Sequence, residues 1–192
     1  MHKYLPNCFV FLDHYNSFIF ENNKLDIGVI YRNYHNKNRE VELNKIANAC
    51  KKNSFKLYVS NSIKLAIKFK ANGVYIPSFN KNKRYNNLEK KNLLIIGSAH
   101  NQKEIREKKA QNCCAIFLSP VFPVKKKNNY LDICKFNILS NNNNIKFFAL
   151  GGISEANITK LKLLNINGFG GISLFKKKPA YKRPVFIKNK FF

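Results

Sequence analysis

Eight short apolar runs recur along the chain, separated by polar or helix-like intervals. They are Phe9–Leu12, Ile27–Tyr31, Phe55–Val59, Gly73–Ile76, Leu93–Ile96, Cys114–Leu118, Ile145–Leu150 and Gly168–Ile172. Most are continuous rather than alternating, which is the pattern of parallel strands covered on both faces. Helical patterns fill most of the gaps. Val41–Lys51 is one, and Ile63, Ala66, Ile67 and Lys70 mark another, with its apolar face at i, i+3 and i+4. Asn101, with Glu104 three residues on, has the form of a capping box. Ser154 is placed to cap a helix that runs through Leu164 and stops near Gly168. This strand–helix alternation predicts a parallel α/β fold. Eight strands at about 24 residues each predict a (β/α)8 TIM barrel, slightly below the usual floor of roughly 200 residues. A doubly wound open sheet is the alternative architecture.

The pattern changes after the eighth run. Pro179 and Pro184 forbid a long regular helix there, so the final helix is expected to be truncated or irregular. The sequence therefore divides into a barrel over 1–175 and a basic, aromatic tail over 176–192, expected to fold back on the barrel.

Composition adjusts this picture in three ways. Apolar residues make up 45% of the 192 residues, enough for a packed core. The five cysteines form no C-x-x-C pair, so they read as reduced thiols rather than a zinc or redox site. The run Asn141–Asn144 reads as a loop. The opening residues do not read as a signal peptide, and no apolar segment reaches the ~18 residues of a membrane helix. The expectation is a cytoplasmic protein without a membrane span. The net charge of +25 is extreme, but Lys and Asn are spread along the whole chain. No aromatic RNP stretch or GXXG loop accompanies it. We read the charge as biased residue usage, with no specific nucleic-acid partner. It would still attract phosphorylated small molecules. The oligomeric state is left open.

In a parallel barrel every strand ends at the same mouth, where active sites are built. The polar residues closing the runs are Asp13, Arg32, Asn61, Ser98, His100, Ser119 and Ser173. An arginine ending a buried strand needs an anionic partner. Gly151-Gly152 after the seventh run permits close approach of another group to the backbone. The N–H groups of Gly152, Ile172 and Ser173 are placed to hold a phosphate, helped by the positive end of the helix expected at Ser154.

Taken in order, "IIGSAHN" (Ile95–Asn101), "LSPVFPVKKK" (Leu118–Lys127) and "ALGGI" (Ala149–Ile153) resemble the thiamine phosphate synthase and TenI-like superfamily over roughly Phe9–Ser173. The resemblance implies a (β/α)8 barrel of thiamine biosynthesis. The synthases couple an aminopyrimidine pyrophosphate to a thiazole phosphate and release pyrophosphate. It implies pyrophosphate binding by Arg32, a pyrimidine contact by Asn61, a lysine at Lys127, and a thiazole-phosphate cradle at Gly152, Ile172 and Ser173. Ser98, His100 and Lys126 are additional candidates, His100 as an acid or base. The departures are equally specific. The glutamine and lysine that flank the family arginine are Ile30 and Tyr34, the threonines of the T-x-T-K stretch are Val124 and Lys126, and the usual serine is Ala99. The two magnesium-binding aspartates are Ser62 and Asn80. Magnesium is expected for the family, yet its ligands are absent. Two further readings therefore stand beside the synthase: a TenI-like thiazole-modifying enzyme, and a non-catalytic phosphate-ligand-binding or regulatory homologue. The tautomerase branch uses a histidine after the sixth strand, where this chain has Ser119-Pro120.

Overall fold

The structure is a computed structural model that describes residues 4–21, 26–34, 38–85, 88–124, 129–141 and 144–175. All eight apolar runs form strands: β1 (Cys8–Leu12), β2 (Ile27–Tyr31), β3 (Lys56–Ser60), β4 (Gly73–Ile76), β5 (Leu94–Ala99), β6 (Ala115–Leu118), β7 (Lys146–Leu150) and β8 (Gly168–Gly171). They pair in parallel in sequence order, and β8 returns to β1 to close the barrel. Closure removes the open-sheet alternative. The helices are α1 (Ser17–Glu21), α2 (Arg39–Lys52), α3 (Ile63–Lys68), α4 (Gln102–Ala110) and α5 (Asp132–Ser140).

Two apolar cores explain why the runs are continuous. One lies between strands and helices and takes one face of each strand, with residues such as Val10, Val29, Val59, Val74 and Ile116. The other fills the barrel and takes the alternate residues: Phe9, Phe11, Ile30, Tyr58, Tyr75, Ile96, Phe117 and Phe148. Their rings meet edge to face, as with Phe9 against Phe117 at 5.1 Å and Phe11 against Tyr75 at 5.3 Å. Such an aromatic filling needs empty space opposite it. A Cβ on Gly28 would lie 2.3 Å from the Phe9 ring, and one on Gly170 would lie 2.9 Å from Phe11. Each ring so buried contributes about 1.5–3 kcal/mol.

The two capping expectations fare differently. Asn101 caps α4, accepting from the Glu104 N–H at 3.0 Å, while the Glu104 carboxylate reaches back to the N–H of His100 rather than Asn101. The helix expected from Ser154 to Leu164 is replaced by a turn and a short 3-10 segment, Ile158–Leu163. The Asn157 side chain causes this. Its Oδ1 accepts the Ser154 N–H at 2.8 Å and its Nδ2 donates to the Gly152 carbonyl at 2.8 Å. That local ring of bonds competes with helix initiation, so the helix-dipole contribution to a phosphate site disappears.

Among the described residues the β4–β5 connection has no regular helix, only the 3-10 turns Lys83–Tyr85 and Leu88–Lys91. At the other end, the described chain stops in the 3-10 turn Ser173–Phe175. The tail over 176–192 lies outside the described residues.

Candidate active site at the barrel mouth

Alternation along the strands continues past their ends, so the inward positions one step above the aromatic core are polar. Arg32 follows β2, Ser60 ends β3, Ser98 lies on β5 and Ser119 follows β6. Ser60 is fully buried and Ser98 and Ser119 nearly so. Beneath them Tyr75 is hydrogen-bonded to Ser98, and burial raises its pKa well above the ordinary tyrosine value. The floor of the mouth is thus a neutral, hydroxyl-rich surface.

Arg32 finds its anionic partner within the chain. Its Nε donates to Asp13 Oδ1 at 3.0 Å, with both side chains about one-third exposed, and its guanidinium lies over the Phe11 ring at 5.7 Å. The contact is made edge-on through Nε, and no hydrogen bond among the described residues uses the two terminal nitrogens. Tyr34, at the family lysine position, bonds Ser60 Oγ at 2.7 Å and packs edge to face on Phe79 at 5.9 Å. Phe79 is 66% exposed, so the pair forms an aromatic wall beside the mouth. Arg39, from the first turn of α2, lies over Tyr31 and Tyr34 and donates to the Ser60 carbonyl.

Asn61 follows β3 in the left-handed region, with φ at 59°, a conformation asparagine tolerates better than most residues. Its Oδ1 receives bonds from Tyr85 Oη at 2.9 Å and from Asn80 Nδ2. Ser62, by contrast, caps α3, its Oγ accepting the Leu65 N–H at 3.2 Å. The two family aspartate positions are thus turned to different partners: Asn80 faces Asn61, and Ser62 faces its own helix. Neither is a carboxylate. The ammonium of Lys108 lies 2.7 Å from the Asn80 carbonyl. Among the described residues no cluster of three or more His, Cys, Asp or Glu side chains can hold a metal. These groups do not fit a magnesium ion.

His100 is built into the wall between β4, β5 and β6. Its Nδ1 contacts the Ser119 carbonyl oxygen, and its Nε2 lies 3.2 Å from Ser78 Oγ. A carbonyl only accepts, so Nδ1 carries a proton toward Ser119, and Nε2 shares a hydrogen bond with the Ser78 hydroxyl. The ring reaches the end of β6, but both its nitrogens are engaged.

The double glycine after β7 is occupied by the protein itself. Gly151 and Gly152 have φ of 87° and 73°. A Cβ on Gly152 would lie 2.3 Å from the Phe122 carbonyl oxygen and 2.7 Å from that of Pro123. The group that approaches the backbone there is the loop after β6, tied down by Val121 N–H to Leu150 O at 2.9 Å and Phe122 N–H to Gly151 O at 3.2 Å. No hydrogen bond among the described residues uses the N–H of Gly152 or Ile172. Ser173 is exposed beside them. Lys126 and Lys127 lie outside the described residues.

Sequence reasoning missed Tyr75, Tyr85 and Lys108. Tyr75 is legible afterwards from the alternation in β4. Lys108 had one signal: it sits three residues after the buried Ile105, on the inner face of α4.

Comparison with known proteins agrees with the barrel fold. The chain is 34% identical over 154 residues to a thiamine-phosphate synthase from Prochlorococcus marinus subsp. pastoris, covering 78% of this chain and 43% of that protein. A thiamine-phosphate synthase from Lactococcus lactis subsp. lactis is 22% identical over 165 residues, covering 83% and 75%. The chain thus spans less than half the length of the Prochlorococcus relative. In fold it is similar to thiamine phosphate pyrophosphorylase from Pyrococcus furiosus, with a TM-score of 0.71 at 17% identity over 87% of this chain and 85% of that one. A family model described as thiamine monophosphate synthase matches residues 24–175. With its closed eight-strand parallel barrel and most of its length matched, the chain belongs to the thiamine monophosphate synthase family.

Proposed function

We propose that this chain is a divergent thiamine phosphate synthase that couples an aminopyrimidine pyrophosphate to a thiazole phosphate. The observation that carries this reading is Arg32 at the mouth, held edge-on by Asp13 beside Asn61 on the neighbouring strand. The terminal guanidinium nitrogens take the pyrophosphate as a fork. Asn61 takes the pyrimidine ring. The N–H groups of Gly152, Ile172 and Ser173 take the thiazole phosphate, and Lys127 adds a point charge. The C–O bond to pyrophosphate breaks and its electron pair leaves with the pyrophosphate. The thiazole nitrogen then donates its lone pair to the pyrimidine methylene carbon, forming the C–N bond. The protein's task is to stabilise the leaving charge, and no step is assigned to a metal.

A second reading, a phosphate-ligand-binding homologue without turnover, is favoured by one observation: a neutral Asn61–Asn80–Tyr85 network stands where the family places a carboxylate. A thiazole-modifying role is not supported after the sixth strand, where the chain has Ser119-Pro120 in place of a histidine. Free cysteines throughout, with the buried Cys50 and Cys113 thiols pushed up to about 12, support a reducing compartment such as the cytoplasm. No helix among the described residues is long and apolar enough to cross a membrane.

The test is incubation of the purified chain with both substrates, following thiamine phosphate and pyrophosphate, together with complementation of a thiamine auxotroph. Product and growth support the synthase. Binding of both substrates without product supports the second reading. Failure to bind either substrate refutes both.

A further inference from the structure

The β4–β5 connection carries a hydrogen-bond network whose direction can be worked out from groups that cannot be reversed. The first is the backbone N–H of Asn82, which donates to Asn80 Oδ1 at 2.8 Å. That fixes the Asn80 amide, so Nδ2 is the atom turned toward Asn61. The second is the guanidinium of Arg84, which has donors only. Its Nη2 lies 3.3 Å from Tyr85 Oη, and Asn80 Nδ2 lies 3.1 Å from the same oxygen. With two donors directed at it, the Tyr85 hydroxyl must send its own proton onward, and the atom 2.9 Å away belongs to Asn61. Two protons therefore converge on one Asn61 atom, which must be its oxygen. The Asn61 Nδ2 is turned the other way, and no hydrogen bond among the described residues uses it.

The network is anchored from behind. Lys108 is fully buried, and burial lowers its pKa. Its Nζ donates to the Asn80 carbonyl at 2.7 Å and to Gln111 Oε1 at 2.8 Å. Gln111 Nε2 in turn donates to the carbonyls of Asn80 and Asn82 at 3.0 and 2.9 Å. A connection without a regular helix leaves carbonyls unpaired, and these two side chains of α4 and its C-cap satisfy them. The cation also sits just behind the position where the family carries a metal carboxylate.

We propose that Tyr85 and Lys108 are positioning residues that fix Asn61 as a hydrogen-bond donor, so that the site selects a flat ring presenting an acceptor nitrogen. This rests on the reading of the mouth as an aminopyrimidine site. Asn61 reads the ring nitrogen rather than the exocyclic amino group, because an amide N–H cannot accept from that group.

The experiment uses the full chain and two probes: the aminopyrimidine pyrophosphate, and an analogue in which the ring nitrogens are replaced by C–H. Calorimetry on the wild type should favour the pyrimidine by about 3–10-fold, the value of one neutral hydrogen bond. Tyr85→Phe should bring that ratio close to one while circular dichroism shows the barrel intact. Lys108→Met should lower the ratio similarly. It should also speed amide exchange over Asn80–Tyr85 without changing exchange in the strands. If the wild type binds both probes equally, the donor assignment is wrong, whatever the variants do. If Tyr85→Phe folds and keeps the full preference, Tyr85 does not position Asn61. Coupling activity that persists without ring discrimination overturns this inference alone. Failure to bind either probe overturns the proposed function with it.

Discussion

Gly152→Ala adds one methyl group where the backbone leaves no room. The new Cβ would lie 2.3, 2.6 and 2.7 Å from the carbonyl oxygen and carbon of Phe122 and the carbonyl oxygen of Pro123. All three are main-chain atoms, so no side-chain rotation relieves the overlap. The residue also sits at φ 73°, which costs a non-glycine residue about 1–2 kcal/mol. Overpacking adds about 1–3 kcal/mol, because the loop that must retreat carries the buried Val121 and Phe122. The total is on the order of 2–5 kcal/mol, and at about 2–4 °C per kcal/mol for a chain of this size the melting temperature should fall by roughly 10 °C. The assay is thermal unfolding by circular dichroism, with thiazole phosphate binding measured below the transition. Gly171→Ala is the control. Its Cβ meets only side-chain atoms, 3.2 Å from Phe175 Cε2 and beyond, so it should cost far less. If Gly152→Ala melts within 2 °C of wild type, the loop after β6 does not pack on Gly152 and the reasoning fails.

The double change Ser62→Asp and Asn80→Asp should leave pyrophosphate binding independent of magnesium, because residue 62 faces its own helix and residue 80 faces Asn61; a magnesium titration in which the double variant gains metal-dependent pyrophosphate affinity would refute this. Stability should decline in alkali: the Cys8, Cys50 and Cys113 thiols are raised from 9.0 to about 12 by burial, so above pH 9.0 the unfolded chain loses protons that the folded one keeps. Tyr58 and Tyr75, raised by burial, act in the same sense as the thiols, and Lys108, lowered by burial, acts in the opposite sense; urea midpoints that rise between pH 9 and 10 would contradict this balance. Nucleic acid should bind weakly, without sequence preference and with steep salt dependence, and sequence-selective nanomolar binding at physiological salt would overturn the reading of the +25 charge.

The barrel was legible in the sequence because strand formation depends on local apolar runs, and eight of them in strand–helix alternation leave few ways to pack. The capping of α4 by Asn101 was legible for the same reason: donor and acceptor are three residues apart. Arg32, Asn61 and Gly152 could be singled out by type and position. What surrounds them could not. That Asp13 answers Arg32, that the Phe122 carbonyl packs against the Cα of Gly152, and that Asn157 dissolves the helix expected at Ser154 all depend on atoms brought together by chain folding. Tyr85 and Lys108 lie 24 and 47 positions from Asn61 (85 − 61 and 108 − 61), with no periodicity linking them to it. A hydrogen bond is directional and short-ranged, so its partners are settled only when the barrel closes and the irregular β4–β5 connection is pressed against α4. The apolar pattern is a property of each segment and survives in the sequence; the polar partnerships are a property of the closed barrel.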